Sequence, residues 1–384
     1  MRTRPIAWRI VRALAAPLVL AGLLTGSWSG RAFAASCESW SGVQPQNPGT
    51  SEDDLFGVTV ISPCNVWVAG FSFSSGANQT LIEHWNGSAW RVVPSPDPGT
   101  DNNFLNGIRA FSPSDIWAVG AFNSGGGSDQ TLILHWDGKS WSQMESPSPG
   151  DSADLNAVRA ASASSVWAVG SFSKGGQARA LILHWNGAGW KQVPSPVSGQ
   201  NSDLLGVAAS SPRDAWAVGD VTKDGKEKTL ILHWNGSQWR QQASPSPGAL
   251  NALTGIAVTS AANAWAVGFA GNGFAEQTLI LHWNGRKWSR VASPDLGGPR
   301  NTNSLNGVTA TSAGNAWAVG IVTHGGLNNT LILRWNGTKW THVPSPNPGS
   351  RNDLDAVAAS SAANVWAVGS FNGATSQTLA IHCC

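Results

Sequence analysis

Charge is scarce in this 384-residue chain: 12% of its residues are Asp, Glu, Lys or Arg, and they form no run of one sign. A nucleic-acid-binding protein needs a clustered positive face, so that class is excluded. Long hydrophobic runs are lacking as well. The apolar stretch at residues 13–24 falls short of the roughly 20 apolar residues that cross a bilayer as a helix, and no membrane span is expected. Tyrosine is absent altogether, which excludes any reaction that needs a phenolic oxygen. Cysteine is limited to Cys37, Cys64, Cys383 and Cys384, at spacings that match no zinc pattern.

The positive charge that does cluster lies at the start. Arg2, Arg4, Arg9 and Arg12 precede the short apolar run, and Ala32-Phe33-Ala34 follows it. This is the layout of a secretory signal peptide with an A-x-A cleavage site. Residues 1–34 are read as that signal and residues 35–384 as the exported protein. No paired arginine is present, so the general secretory route is expected over the twin-arginine one. Ala34-Ala35-Ser36-Cys37 partly resembles a lipoprotein cleavage box, with Ala34 where Leu is the rule; through Cys37 the envelope-attached alternative stays open. Removing the five arginines of residues 1–34, which hold no acid, takes the formal charge from +2 to 19 − 22 = −3.

What fills the rest is one unit of about 50 residues, repeated. In residues 112–150 it reads Asp115-Ile116-Trp117-Ala118-Val119-Gly120, a Gly/Ser-rich loop, Thr131-Leu132-Ile133-Leu134-His135-Trp136-Asp137-Gly138-Lys139-Ser140-Trp141, then a Pro-rich exit. The first Trp recurs at 67, 117, 167, 216, 265, 317 and 366, and the second at 85, 136, 185, 234, 283 and 335. A closing Trp follows at 90, 141, 190, 239, 288 and 340. Self-similarity at such a period marks a solenoid or a propeller. Seven units account for nearly all of residues 35–384, a length beyond the usual single core, so one closed repeat domain is expected. The 20 Trp outside the signal region all occupy repeat positions, which makes them blade-packing core before sugar-stacking platforms.

Each unit carries four strand-like runs rich in β-branched and aromatic residues, with Gly, Pro, Asn and Asp between them. They are lettered a to d, with a innermost because it is built from small residues such as Val357-Ala358-Ala359. Asn-Gly or Asp-Gly separates c from d in all six complete copies, as in Asn86-Gly87 and Asp137-Gly138, the signal for a tight hairpin. A Pro-Ser-Pro stretch after d is the crossing to the next unit, since Pro cannot join a central ladder. His84, His135, His184, His233, His282 and His382 recur at one strand-c position, with Arg334 in the remaining copy. An Asn, Asp or Ser stands two residues before each strand-b Trp. Spread over separate blades, the histidines cannot share a metal; each is expected to bond a nearby loop group.

The two ends are incomplete in complementary ways. Residues 378–384 match a strand c whose d is missing, and residues 37–49, with Trp40, match a d and its exit. An N-terminal strand is therefore expected to complete the last blade. That brings Cys37 near Cys384, within the reach of a disulfide that export permits. The pairing expected is Cys37 with Cys384 and Cys64 with Cys383; Cys37 with Cys383 is the alternative.

Trp-Ala-Val-Gly followed by His-Trp-Asn/Asp-Gly-x-x-Trp resembles the secreted bacterial propellers whose repeats run D-V-W-A-V-G and H-W-D-G-x-x-W, over the whole of Cys37 to Cys384. More distantly it resembles kelch repeats and the Asp-box propellers of sialidase and photosystem-assembly type. The resemblance implies an all-β, seven-bladed propeller of four-stranded antiparallel blades. It implies little about function, since propellers host binding modules, scaffolds and enzymes alike. The Tyr nucleophile of such sialidases and the Tyr ligands of kelch-type copper oxidases have no counterpart here.

The units differ most in the b–c loops and d–a crossings, which share one face. Asp54, Asp101, Asn103, Asp154, Asp203, Asn303 and Asp353 lie in or beside those crossings. They would suit a ring of sugar or Ca²⁺ contacts around the channel mouth; equally, Asp and Asn start turns through their side chains. Arg109 and Arg159, at equivalent strand-a positions, would line the channel. No paired carboxylates in an acid–base context and no Ser–His–Asp set stand out, and His324 and His342 read as surface residues. The expectation is a secreted, monomeric binding module without a required cofactor, recognising an extracellular glycan or protein through the loop face. The alternative is a polysaccharide hydrolase or lyase working at the channel mouth.

Overall fold

In the computed structural model, residues 39–197, 201–296, 298 and 301–383 are described; Cys37, Cys384 and the signal expected at residues 1–34 lie outside them. The second unit shows how a sequence copy becomes structure. Its strands a to d are Asn102–Ser112, Asp115–Asn123, Gln130–Trp136 and Trp141–Gln143, each joined antiparallel to the next. The pattern repeats through 27 strands, with no helix among the described residues. Six units have four strands and the last has three; a single parallel pairing, Asn78 with Asn102, ties the first two together. Seven units match seven blades. The innermost strands run from Asp53–Ser62 to Asn352–Ser361, and each touches its neighbours on both sides, the last one touching the first.

The motif residues explain themselves at this level. A Cβ on Gly70, the last residue of the first unit's Trp-Val-Ala-Gly motif, would collide with the backbone carbonyl of Asp54. The same holds for Gly120 against Phe104, so only Gly lets strands a and b approach there. Every a–b ladder also slips by one residue after its invariant Leu, as between Leu55 and Gly57 and between Leu105 and Gly107. The extra residue is a β-bulge, which re-aims one side chain.

The turns depart from expectation. At Asn86-Gly87 only the Gly has positive φ, +96°. The Asn86 carboxamide oxygen instead accepts from the N–H groups of Ser88 and Ala89, both at 3.0 Å. Asn is there as a side-chain cap, and the hairpin is one residue later than the dipeptide suggests. Tight turns with positive φ at both central residues lie at the other end, between b and c: Ser75-Gly76, Gly175-Gly176, Asp224-Gly225 and Gly325-Gly326.

Tryptophan joins the blades. Each strand-b Trp packs against tryptophans of the following unit with ring centroids 4.8–6.0 Å apart, as Trp167 does against Trp234 and Trp239. At the ends, Trp366 meets Trp85 and Trp90, and Trp317 meets Trp40 at 5.5 Å, edge to face. Ser41 and His382 exchange both backbone hydrogen bonds. Asn47 accepts from Thr378 N–H at 2.7 Å and Gln44 from Ala380 N–H at 3.0 Å.

One expectation about cysteine is overturned. Cys64 is exposed and free, so it does not pair with Cys383. It sits in the first unit's own a–b turn, against Gly87 of the same unit, whereas Cys383 belongs to strand c of the last unit, opposite Val365. Sharing one end of the ring does not bring neighbouring blades to bonding distance. Cys383 is buried, and the pairings expected for Cys37 and Cys384 lie outside the described residues.

Candidate functional site: the two ends of the channel

The seven strands a surround a cavity of about 370 Å³ on the ring axis. Beneath the mouth all units agree: Leu55, Leu105, Leu155, Leu204, Leu253, Leu305 and Leu354 are fully buried. On either side of that Leu they disagree. The residue before it is Asp54, Phe104, Asp154, Asp203, Ala252, Ser304 or Asp353. The bulge residue after it is Phe56, Asn106, Asn156, Leu205, Thr254, Asn306 or Asp355, and each lines the cavity. A third variable position follows the strand-b Gly and includes Phe71, Ser171 and Asp220.

Several of these side chains hold the ring together. Asn106 donates to Leu155 O at 3.0 Å, Asn306 to Leu354 O at 2.9 Å, and Thr254 to Leu305 O at 2.6 Å. Asn156 donates both to Leu204 O and to Asp203, at 3.0 and 3.1 Å. Each bond runs from one bulge to the next blade.

The carboxylates gather in two groups. Asp203 and Asp220 are directly opposite in their ladder, with Asp154 on the preceding blade. Burial, then the charges of Asp154 and Asp220, push the Asp203 carboxyl up to about 7. Burial, then Glu227, raises Asp220 to about 6, and burial raises Asp154 although Ser171 bonds it. On the other side, burial followed by Asp353 and Asp54 raises Asp355 to about 7. Asp54 accepts from Ser376 at 2.8 Å, and Asp353 from Asn328 at 2.8 Å and from Arg351 at 3.0 Å. Arg351 is the cation paired there among the described residues. Between the groups lies an aromatic stretch, Phe56, Phe71 and Phe104, with centroids 5.8 and 5.6 Å apart.

The residues singled out from sequence therefore separate. Asp54, Asp154, Asp203 and Asp353 stand one residue before the buried Leu, beside the residues that line the cavity but not among them. Asp101 is exposed on a crossing. Asn103 and Asn303 are buried, and their oxygens hold the crossings by accepting from Gly99 N–H and Leu296 N–H. Asp220 and Asp355 were missed. Their signal was present: each is an acid where most other units place an apolar, hydroxyl or amide side chain. Among the described residues no group of three or more His, Cys, Asp and Glu could hold a metal ion. No described helix is long and apolar enough to cross a membrane.

The repeated histidines are structural. His84, His135, His233 and His282 bond the Asx before the strand-b Trp at 2.7–3.0 Å, and His184 bonds Ser165 at 3.0 Å. Each stacks on that Trp, as His184 does on Trp167 at 4.1 Å. They are half-buried, and burial lowers the pKa of His84, His184, His282 and His382. Arg334 keeps the stacking, 5.1 Å over Trp317.

No family model matches the sequence, and no curated protein does. Among solved structures the chain is similar to YCF48 bound to a D1 peptide, at 15% identity and a TM-score of 0.55, over 91% of this chain and 99% of that one. It is similar to YCF48 from Cyanidioschyzon merolae, at 14% and 0.54, over 90% and 98%. It is also similar to the GH74 xyloglucanase from Xanthomonas campestris, at 10% and 0.53, over 87% of this chain and 53% of that one. At these identities the likeness is one of fold: a β-propeller.

Proposed function

We propose that this chain is an exported, monomeric binding module whose channel mouth receives a basic segment of a protein partner. One observation carries the reading: near-identical blades differ at the rings of residues around the mouth, and those rings hold an excess of carboxylates whose charges already repel one another. A lysine or arginine entering there relieves that repulsion, and Phe56 and Phe104 offer apolar surface beside it. Electrostatic complementarity of this kind sets partner choice and on-rate. The peptide carried by one structural neighbour, YCF48, supports a propeller in such a role. Glycan recognition has less support, because the strand-b and strand-d tryptophans are enclosed in the blade junctions.

The reading is tested with purified residues 35–384 on arrays of basic, neutral and acidic peptides and on glycan arrays. Basic peptides should bind, and tighter at 50 than at 300 mM salt. Asp203→Asn and Asp355→Asn should each weaken binding about tenfold without lowering the melting temperature. Salt-independent retention of a glycan, or equal loss from Asn186→Ala on the opposite face, would sink it.

A hydrolase reading has one observation in its favour. Asp203 and Asp220 face each other across the ladder, with carboxyls raised to about 7 and about 6, as an acid and a base would be. Release of reducing sugar from a polysaccharide panel, abolished by Asp203→Asn, would establish it.

Two finer features belong to the same proposal. Residues 1–34 are a cleaved signal, which N-terminal sequencing of the exported protein reads directly. Residues 39–49 serve as the fourth strand of the last blade, closing the ring, with Cys37 to Cys383 as the covalent seal now that Cys64 is excluded.

A further inference from the structure

The opposite end of the channel has the reverse charge. Four residues beyond the buried Leu of strand a, the second and third units carry Arg109 and Arg159 where other units carry Thr or Ala. Both side chains line a second cavity, about 200 Å³, on the same axis. A collar that includes Ile108, Val158 and Val207 lines both cavities and stands between them.

Neither guanidinium has a counter-ion: the three ion pairs among the described residues involve other groups. The Arg159 Nε–H is buried without any hydrogen-bond partner. Arg334 also has a buried, unbonded Nε, but its guanidinium lies over Trp317. Burial, then the like charge of Arg159, holds Arg109 down to about 9. Two adjacent, desolvated, mutually repelling guanidiniums facing one small cavity are costly unless something negative joins them. Thr309 adds a hydroxyl to the wall.

We propose that Arg109 and Arg159 form an anion site at this end of the channel, taking one small oxyanion. Guanidinium forks match the paired oxygens of carboxylate, sulfate and phosphate, and the cavity has ample room for such a group with its water. Arg109 lies two residues before the exposed Phe111, so the site opens toward the a–b face, away from the acidic mouth. It does not depend on what the mouth binds.

Calorimetry and thermal melts on residues 35–384 test it, with phosphate, sulfate and acetate each compared with chloride at equal ionic strength. One saturable site per chain is expected, with a rise in the melting temperature of about 3 °C at saturating anion. Arg159→Gln and Arg109→Gln should each abolish the rise, while in chloride Arg159→Gln should melt no lower than the unsubstituted protein, having lost the repulsion. A larger shift with acetate than with phosphate would mark the ligand as a carboxylate, and the reverse as a tetrahedral oxyanion; either supports the site. No heat of binding to the unsubstituted protein, or an equal rise in the Arg109→Gln/Arg159→Gln protein, overturns it. That comparison also removes the general stabilisation that sulfate and phosphate give any fold.

Discussion

Deleting residues 39–49 should lower the unfolding midpoint more than any single substitution, and Trp40→Ala alone should cost about 3–5 kcal/mol, as expected for losing a large buried aromatic. Trp40 is 6% exposed, packs edge to face on Trp317, and belongs to one core cluster with Leu379, Ile381 and Cys383. The backbone bonds between Ser41 and His382 cover the outer edge of Ser376–Cys383. Without them that strand presents unpaired N–H and C=O groups, a template for association. The shortened protein should therefore melt early and self-associate, read by calorimetry and size-exclusion light scattering. Reduction should act in the same direction but less strongly. A disulfide enclosing nearly the whole of residues 35–384 is worth about 5 kcal/mol in the chain-entropy description, and measured bonds often give less. Peptide mapping without reductant should join the segment of Cys37 to the C-terminal peptide. An unchanged midpoint after the deletion would show that the ring holds without its clasp.

Glu83→Gln should stabilise the protein by about 3 kcal/mol at pH 8, by the conversion of pKa shift to free energy, and by almost nothing at pH 4. Glu83 is fully buried at a strand-c position where other units have Leu134, Leu183, Leu232 or Leu281. One of its oxygens accepts from the Gln46 N–H at 2.9 Å, and the other has no partner. Burial first, opposed by that hydrogen bond, raises its pKa to about 7. A carboxyl whose folded pKa lies above its unfolded value binds more protons in the folded state. Its stabilising contribution is complete below about pH 4 and is lost as pH rises through about 7. Gln keeps the acceptor for Gln46 and removes the charge, so urea titrations of both proteins at pH 4 and pH 8 should coincide at the first and separate at the second. Because Gln46 lies within the segment that bonds the last unit through Ser41, Gln44 and Asn47, Glu83 also joins that segment to the first unit. Equal midpoints at pH 8 would mean that Glu83 finds solvent or a cation.

The repeat was legible because each blade meets the same physical demand. A strand-b Trp must fill a junction, a Gly must let strands a and b approach, and an Asx must cap the c–d turn. Those demands recur every 50 residues and stamp their spacing on the chain. The carboxylate clusters were only half legible. Asp54, Asp154, Asp203 and Asp353 stood beside crossings, where polar residues draw notice. Asp355 stood inside an apparent strand, where alternation does not reveal that a bulge turns it toward the axis. Asp220 followed a conserved-looking motif within the repeat, and its neighbour Asp203 is close only through the ladder.

Local pattern and spacing were enough to carry the seven-fold repetition, the strand order within a unit, the Trp-lined junctions and the complementary truncation of the two ends. Which side chains share the axis follows from the folded ring instead. The bulge after each buried Leu and the meeting of Asp203 with Asp220 depend on the register of one unit's own ladder, while the meeting of Arg109 with Arg159 and the separation of Cys64 from Cys383 depend on how neighbouring blades are rotated about the ring. That rotation is a property of packed sheets, and no single unit's residues contain it.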